Sequence, residues 1–351
     1  MKFAKVSKKI AEKTRRELLQ IDAIDVDYQI IQEGEYVLFP LKIKKEANKD
    51  FEIVERDATA RPRTPAGLKD ALKGKLNDEE LGELVSSFDI IGDIAIIEIP
   101  PKLEKHEKEI GEALIVSHKN VRTVLKKLGA MEGEYRVRRV KHIAGEGKTG
   151  TEYRENGIRM RFDVAKVYFS VRLAHERKRI AEEVKKGEKV LVLFAGAGPF
   201  AFAIAKKQPK CEIVAIELNP EAARYMKENV ALNHFTNIVA VEGDAHEEVM
   251  KNYLGWADRI VMPLPHKTQE FLDVAFAATS PNGAIVHFYN IVDMENAFEN
   301  AYSKVKKEAD LAGFETIVVG QRVVRPYSPT QIQVVLDILV KPKSKPKTKH
   351  K

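Results

Sequence analysis

The chain carries a single cysteine, Cys211, among its 351 residues. Disulfides and thiolate metal sites are therefore excluded. No apolar run approaches the ~20 residues needed to cross a bilayer, and the first residues lack the apolar stretch of a secretion signal. A cytoplasmic protein with no membrane partner is expected. His and carboxylate residues show no metal-ligand spacing, so no metal is expected either. No internal repeat is evident, which argues against a solenoid.

Acidic residues are scarce in the middle of the chain. Between Lys119 and Arg179 seventeen Lys and Arg face seven Asp and Glu, a local excess of ten. The segment from Lys341 to Lys351 adds six lysines and no acid, so most of the formal net charge of +7 comes from that tail. The regions flanking the basic middle are acidic by difference. A basic centre between acidic flanks suits a polyanion, although a charge run is also the ordinary solvated face of a protein. The tail is expected to be disordered.

The most informative stretch runs Val190-Leu191-Val192-Leu193-Phe194-Ala195-Gly196-Ala197-Gly198-Pro199-Phe200. Four apolar residues predict a buried strand, and Pro199 opens a helix after a small-residue turn. Gly196 and Gly198 let the backbone approach a bulky ligand at the N-terminus of that helix. A second apolar strand, Glu212 to Ile216, ends in Glu217, where a carboxylate can take two ribose hydroxyls. The third glycine of a dinucleotide loop and the Lys-Ser/Thr of a P-loop are both missing. That combination matches S-adenosylmethionine better than NAD. A third strand ends in Glu242-Gly243-Asp244-Ala245, where methyltransferases of this kind place an Asp for the adenine amino group. The candidate cofactor contacts are Phe194, Ala195, Gly196, Gly198, Pro199, Glu217, Leu218, Asp244 and Ala245.

Strands near Val190, Ile213, Ile238, Ile260 and Ile285 alternate with helices beginning near Pro199, Pro220, Asp244, Lys267 and Met294. Two last strands, Thr316–Val324 and Gln331–Val340, close an α/β, doubly wound, Rossmann-like sheet over 186–340. Residues 1–56 predict a small α+β domain. Its helix runs over Ile10–Ile21 and its strand over Tyr36–Ile43. Residues 57–67, with two prolines, predict a linker. A middle α+β domain follows over 68–185. It has helices over Glu79–Ser87, Lys105–Ile115 and Val121–Leu128, and strands over Ile94–Ile99 and Tyr135–Val140. Residues 341–351 form the tail.

With these motifs placed, the chain resembles the archaeal tRNA (guanine-37, N1)-methyltransferase family, including its wyosine-forming branch. The resemblance rests on Tyr135-Arg-Val-Arg138, His142–Thr149, Asn156-Gly157, Asp163–Arg177, the methyltransferase turn, Pro263-Leu264-Pro265 and Pro326-Tyr-Ser-Pro329. It implies a class I S-adenosylmethionine-dependent enzyme acting on tRNA, with the N-terminal domain helping to recognise the tRNA corner; a monomer is expected, although no residue pattern fixes the oligomeric state. By the same resemblance Glu176 is the general base, Arg136 contacts the target guanine, and Tyr168 and Phe169 line the region between cofactor and base.

Guanine N1 carries a proton and is a poor nucleophile at neutral pH. A carboxylate near N1 can remove that proton, and a guanidinium near O6 can offset the charge that develops. Glu176 could equally pair with Arg172 or Arg179 on its helix. His175 reads as a surface or supporting group rather than a ligand. Arg138, Arg139, Lys141 and Lys148 are candidate phosphate contacts. Two positions depart from the family: Pro263 stands where Asn is usual, and Val171 where Pro is usual. Proline offers neither an amide nor a backbone donor. Within the family this resembles the branch that also methylates C7 of 4-demethylwyosine, so Pro263 and Pro265 are site residues bearing on which base is accepted. Two other readings stand beside the methyltransferase: an aminocarboxypropyl transferase of the wyosine pathway, and a non-catalytic tRNA-binding protein.

Overall fold

A computed structural model describes residues 1–42, 50–60, 65–85, 87–129, 133, 135 and 137–343. The chain divides into two compact units, Met1–Ala66 and Gly67–Lys351.

The first unit contains β1 (Lys2–Ser7), α1 (Ala11–Gln20), β2 (Ile31–Glu33), β3 (Tyr36–Pro40) and β4 (Glu52–Glu55). The strands form an antiparallel sheet in the order β2-β3-β1-β4. Ala4, Val6, Leu18, Phe39 and Phe51 make its core with α1. Thr59 and Ala60, within the stretch read as a linker, still belong to this unit. The Gln29 amide donates to the Thr59 carbonyl, and Tyr28 bridges to Ala60.

The second unit begins with α2 (Leu68–Ala71) and α3 (Asp78–Glu83). Asn77 caps α3 through a reciprocal pair with Glu80. A mixed sheet follows, built from β5 (Phe88–Ile91), β6 (Ile94–Ile97), β7 (Thr123–Lys127) and β8 (Val140–Gly145), with α4 (Glu107–Ser117) crossing between the parallel β6 and β7. The segment read as a helix over Val121–Leu128 is β7. Its first four residues, Thr123 to Lys126, are all buried, and such a run carries no period that separates strand from helix. Of the strand expected over Tyr135–Val140, Arg136 lies outside the described residues, and Val140 opens β8, which pairs with β7.

The hairpin β9 (Gly150–Glu155) and β10 (Ile158–Asp163) turns at Asn156-Gly157, both with positive φ, the geometry a two-residue hairpin loop requires. Then come α5 (Ala174–Glu183), β11 (Lys189–Leu193), α6 (Pro199–Lys207), β12 (Glu212–Glu217), α7 (Pro220–Leu232), β13 (Ile238–Glu242), α8 (Ala245–Asn252), β14 (Arg259–Met262), α9 (Leu272–Ala278), β15 (Ala284–Asp293), α10 (Ala297–Ala312), β16 (Phe314–Pro326) and β17 (Gln331–Pro342). Their sheet has the order β13-β12-β11-β14-β15-β17-β16, parallel except where β17 inserts antiparallel between β15 and β16. Strand order reverses beside β11, so the switch point of the sheet lies at its carboxyl end. Residues Lys341 and Pro342, expected in the tail, belong to β17, and the Lys343 amide donates to the Gly313 carbonyl. The rest of the tail lies outside the described residues.

Asn229 in the last turn of α7 and Asn233, its C-cap, dock the hairpin onto this sheet. Each side-chain amide accepts from and donates to one backbone: Asn229 to Arg161 at 2.8 and 3.0 Å, Asn233 to Arg159 at 2.9 and 2.7 Å. They continue the ladder that β10 lacks on that edge. Among the described residues no helix is long and apolar enough to cross a membrane.

Candidate functional site

At the end of β11 the backbone takes positive φ three times in five residues, at Phe194, Gly196 and Gly198. The strained Phe194 is held by its ring contact with Phe271, 4.6 Å between centroids. At Gly198 a Cβ would lie 2.3 Å from the Phe202 ring, so glycine is required twice over. Gly198 caps α6, with Pro199 in its first turn, as the sequence predicts.

Glu217 reaches back to this turn from the end of β12. Its Oε2 accepts the Gly196 N–H at 2.7 Å and its Oε1 accepts the Asn219 N–H at 2.8 Å. Burial pushes its carboxyl above the usual range, opposed by these backbone donors. Asp244 follows β13 and caps α8 through one oxygen, which accepts the His246 and Glu247 N–H groups at 2.8 and 3.2 Å. Its second oxygen accepts no hydrogen bond among the described residues. After β14, Pro263-Leu264-Pro265 turns toward β15. The Ile291 amide donates to the Pro265 carbonyl at 3.3 Å, and the Thr268 hydroxyl donates to the Leu264 carbonyl.

These pieces enclose a cleft of about 230 Å³. Of the sequence-predicted residues, Tyr168, Phe194, Gly196, Glu217, Leu218, Asp244, Ala245, Pro263 and Pro265 line it. Ala195, Gly198 and Pro199 shape the turn without lining the cleft. Phe169 turns away from it. Its ring is buried against Tyr153 and Phe162 with the Arg177 guanidinium 5.1 Å above, because adjacent residues of an extended segment face opposite ways. Arg136 lies outside the described residues.

Glu176 is buried and stands beneath the cleft rather than in its wall. Its carboxylate accepts the Tyr289 hydroxyl at 2.9 Å and Arg179 Nη2 at 2.8 Å, and Arg322 Nη1 lies 3.9 Å away. Tyr289 sits two residues along β15 from Ile291, whose amide holds the Pro265 carbonyl, so the pair is about 7 Å below the cleft rim. Arg179 also reaches Asp337 at 2.7 Å, and His287 Nδ1 lies 2.6 Å from Asp337. Since the Arg259 guanidinium 2.7 Å from His287 Nε2 can only donate, Nε2 accepts and Nδ1 carries the proton. Burial opposes charge on both groups. It lowers His287, but the His287 bond and Arg179 outweigh it at Asp337 and hold that carboxyl at about 2. Glu183, His287 and Asp337 have ligand atoms within 4.8 Å of one another, but Arg179 and Arg259 already pair with this group, so it is an ion-pair network.

The proposed phosphate contacts Arg138, Lys141 and Lys148 each pair with an acid: Asp89 at 3.4 Å, Glu107, and Asp93 at 2.6 Å. Arg138 also lies 5.7 Å over the Tyr168 ring. Several lining residues escaped the sequence reading: Asn219, His266, Glu270, Phe271, Arg325 and Tyr327. Asn219 had a local signal, a capping residue before Pro220 beside Glu217. Tyr327, whose ring meets His266 at 5.1 Å, comes from the far end of the chain and is recruited only by the β16–β17 pairing.

Family models match the chain in three consecutive parts: a tRNA methyltransferase 5 N-terminal domain over 5–50, a TYW2 N-terminal domain over 68–149 and a TRM5/TYW2 methyltransferase domain over 151–317. The tRNA (guanine(37)-N(1))-methyltransferase Trm5b of Pyrococcus abyssi is 41% identical over 96% of this chain and 98% of its own. Its crystal structure superposes with a TM-score of 0.72 over 97% and 99% of the two chains, at 39% identity. The structure of aTrm5 with tRNALeu gives a TM-score of 0.79 over 96% and 99%, at 32% identity. A tRNA(Phe) (4-demethylwyosine(37)-C(7)) aminocarboxypropyltransferase of Methanocaldococcus jannaschii is 33% identical over 70% of this chain and 95% of its own. Matching from the N-terminal unit through the Rossmann-like sheet, the chain belongs to the Trm5/TYW2 family.

Proposed function

We propose that the protein methylates N1 of guanine 37 in tRNA. S-Adenosylmethionine is the cofactor, and it supplies an activated sulfonium methyl when bound. The carrying observation is Glu217, fixed by the Gly196 and Asn219 amides beside a glycine turn with no phosphate grip. Glu217 takes the ribose hydroxyls and the open oxygen of Asp244 takes the adenine amino group. Tyr168 and Phe271 supply apolar walls that exclude water. Glu176, oriented by Arg179 and Tyr289 beneath the cleft, takes the N1 proton once the base edge reaches down to it, and Arg136 offsets charge arising on O6.

Coverage favours methyl transfer over aminocarboxypropyl transfer. The Trm5b relatives of Pyrococcus abyssi and Methanocaldococcus jannaschii match 96–97% of this chain and 98% of their own, whereas the aminocarboxypropyltransferases match 70–78% of it; the more distant guanine-37 methyltransferases, at 54–74%, do not separate the two.

A second activity, methylation of C7 of 4-demethylwyosine, is favoured by Pro263. The position after β14 has no side-chain or backbone donor for a base edge and presents a flat apolar ring to the cleft. The tRNA 4-demethylwyosine(37)-methyltransferase Taw21 of Saccharolobus solfataricus is 31% identical over 75% of this chain. Incubating the protein with S-adenosylmethionine and tRNA bearing guanine or 4-demethylwyosine at position 37 tests both readings. Nucleoside mass then reports 1-methylguanosine and a methylated tricycle; neither product would reject both.

A further inference from the structure

The outward face of the β9–β10 hairpin holds one carboxylate among three guanidiniums. Glu152 Oε1 accepts Arg154 Nε and Nη2 at 3.1 and 3.0 Å and Arg159 Nε at 3.0 Å. Its Oε2 accepts Arg159 Nη2 at 2.7 Å and Arg161 Nε at 2.9 Å. The Arg159 hydrogen bond, with those of the other two arginines, outweighs desolvation and holds the Glu152 carboxyl at about 2. The group therefore keeps a net charge of +2 at any physiological pH. Four guanidinium nitrogens have no hydrogen-bond partner among the described residues: Arg154 Nη1, Arg159 Nη1, and both terminal nitrogens of Arg161. The arginine side chains are 41–72% exposed, so these donors face solvent.

The backbone beneath is fixed. Asn229 and Asn233 clamp both the N–H and the C=O of Arg161 and Arg159, and the Asn156-Gly157 turn sets the register. Ordering long side chains costs entropy on binding; here one carboxylate and a clamped strand have already ordered them. Cross-strand ion pairs on a solvated face need one cation per anion. This face has three.

We propose that Arg154, Arg159 and Arg161, gathered by Glu152, form a docking surface for RNA backbone phosphates, separate from the cleft. The inference rests on the tRNA reading above. Phosphate contacts from such a surface position the substrate and carry no sequence information. They should appear in the salt dependence of binding and in KM, not in the rate at saturating tRNA.

The test is tRNA binding between 50 and 200 mM salt, with unmodified transcript, for wild type, the triple variant R154A/R159A/R161A and E152Q. The triple variant should weaken binding about 10- to 100-fold at low salt and flatten the slope of log K against log salt by about 2. Its S-adenosylmethionine affinity and its single-turnover rate at saturating tRNA should be unchanged. E152Q discriminates a purely structural role. If the arginines serve RNA, losing the carboxylate leaves tRNA affinity equal or higher. If they only brace the hairpin through Glu152, E152Q harms the protein as the triple variant does. An unchanged slope in the triple variant, or matching losses in E152Q, overturns the proposal. Absence of tRNA binding by wild type instead overturns the functional reading beneath it.

Discussion

The Tyr289 hydroxyl donates to Glu176 at 2.9 Å, tying the middle of the fifth sheet strand to the first turn of a helix 113 residues earlier. Both groups are buried. If Glu176 removes the N1 proton, Glu176→Gln should lower the single-turnover rate about 10²- to 10⁴-fold. Tyr289→Phe, which removes one oriented donor, should lower it about 10-fold. Both should leave tRNA and S-adenosylmethionine affinities near wild type. An E176Q variant with full rate would move the base elsewhere.

Gly198 separates strain from space. Gly198→Ala must place a Cβ 2.3 Å from the Phe202 ring at a φ of +92°, whereas at Gly196 the nearest atom to a new Cβ is 3.7 Å away. Gly198→Ala should cost about 2–4 kcal/mol of stability and Gly196→Ala about 1–2 kcal/mol. Urea unfolding of the two variants measures the difference; equal losses would contradict the packing account.

Pro263 governs which base edge the cleft can meet. Pro263→Asn restores a side-chain amide at the end of β14 and should raise formation of 1-methylguanosine relative to the methylated tricycle about 10-fold. Competition between the two tRNA substrates, read by nucleoside mass, gives the ratio. A ratio that stays fixed removes Pro263 from the specificity argument.

The motifs around the cofactor cleft were legible because they are local. A strand, a turn and a helix start can be read from eleven consecutive residues, and Glu217, Asp244 and Pro263 each follow a strand of their own. What stayed hidden came from tertiary closure. Tyr327 and Arg325 enter the cleft from strands paired antiparallel at the far edge. The partners of Glu176 lie on β15 and β16 and one turn along its own helix, and only that last one, Arg179, was visible as a helical spacing. β7 was misread because a strand buried on both faces loses its alternation. Tyr168 and Phe169 mark the boundary: extended geometry says that one faces the ligand, but only packing says which.

The His287–Asp337 pair makes stability depend on pH in one direction. His287 is fully buried with its proton on Nδ1 and its tendency to charge lowered, whereas in the unfolded chain it charges near ~6.5. Unfolding therefore takes up a proton below that value, and stability falls as pH drops from about 7. Asp337, held at about 2, adds a second loss in the same direction below about pH 4, where the unfolded chain protonates first. Urea midpoints at pH 7.5, 5.5 and 4 should decline steadily. His287→Gln should flatten the decline between 7.5 and 5.5. A midpoint that rises on acidification would refute this assignment.

The Asn229 and Asn233 clamps predict where the hairpin gives way. Removing both amides (Asn229→Ala with Asn233→Ala) orphans two backbone donors and two acceptors on β10. A loss of about 2–4 kcal/mol is expected, with amide exchange accelerated at Arg159 and Arg161 before the sheet core. Uniform acceleration throughout would mean that the hairpin is not a separate opening unit.

Because β17 slots between β15 and β16, the last-but-one place in the sheet is taken by the last of the described strands to leave the ribosome. The preceding strand has no strand neighbour to join until then, and its Phe314, Val318 and Val324, which end packed against the core, must wait along the way. Synthesis stalled short of residue 331 would leave a sticky half-sheet, which makes those dozen closing residues the latch on which soluble expression turns.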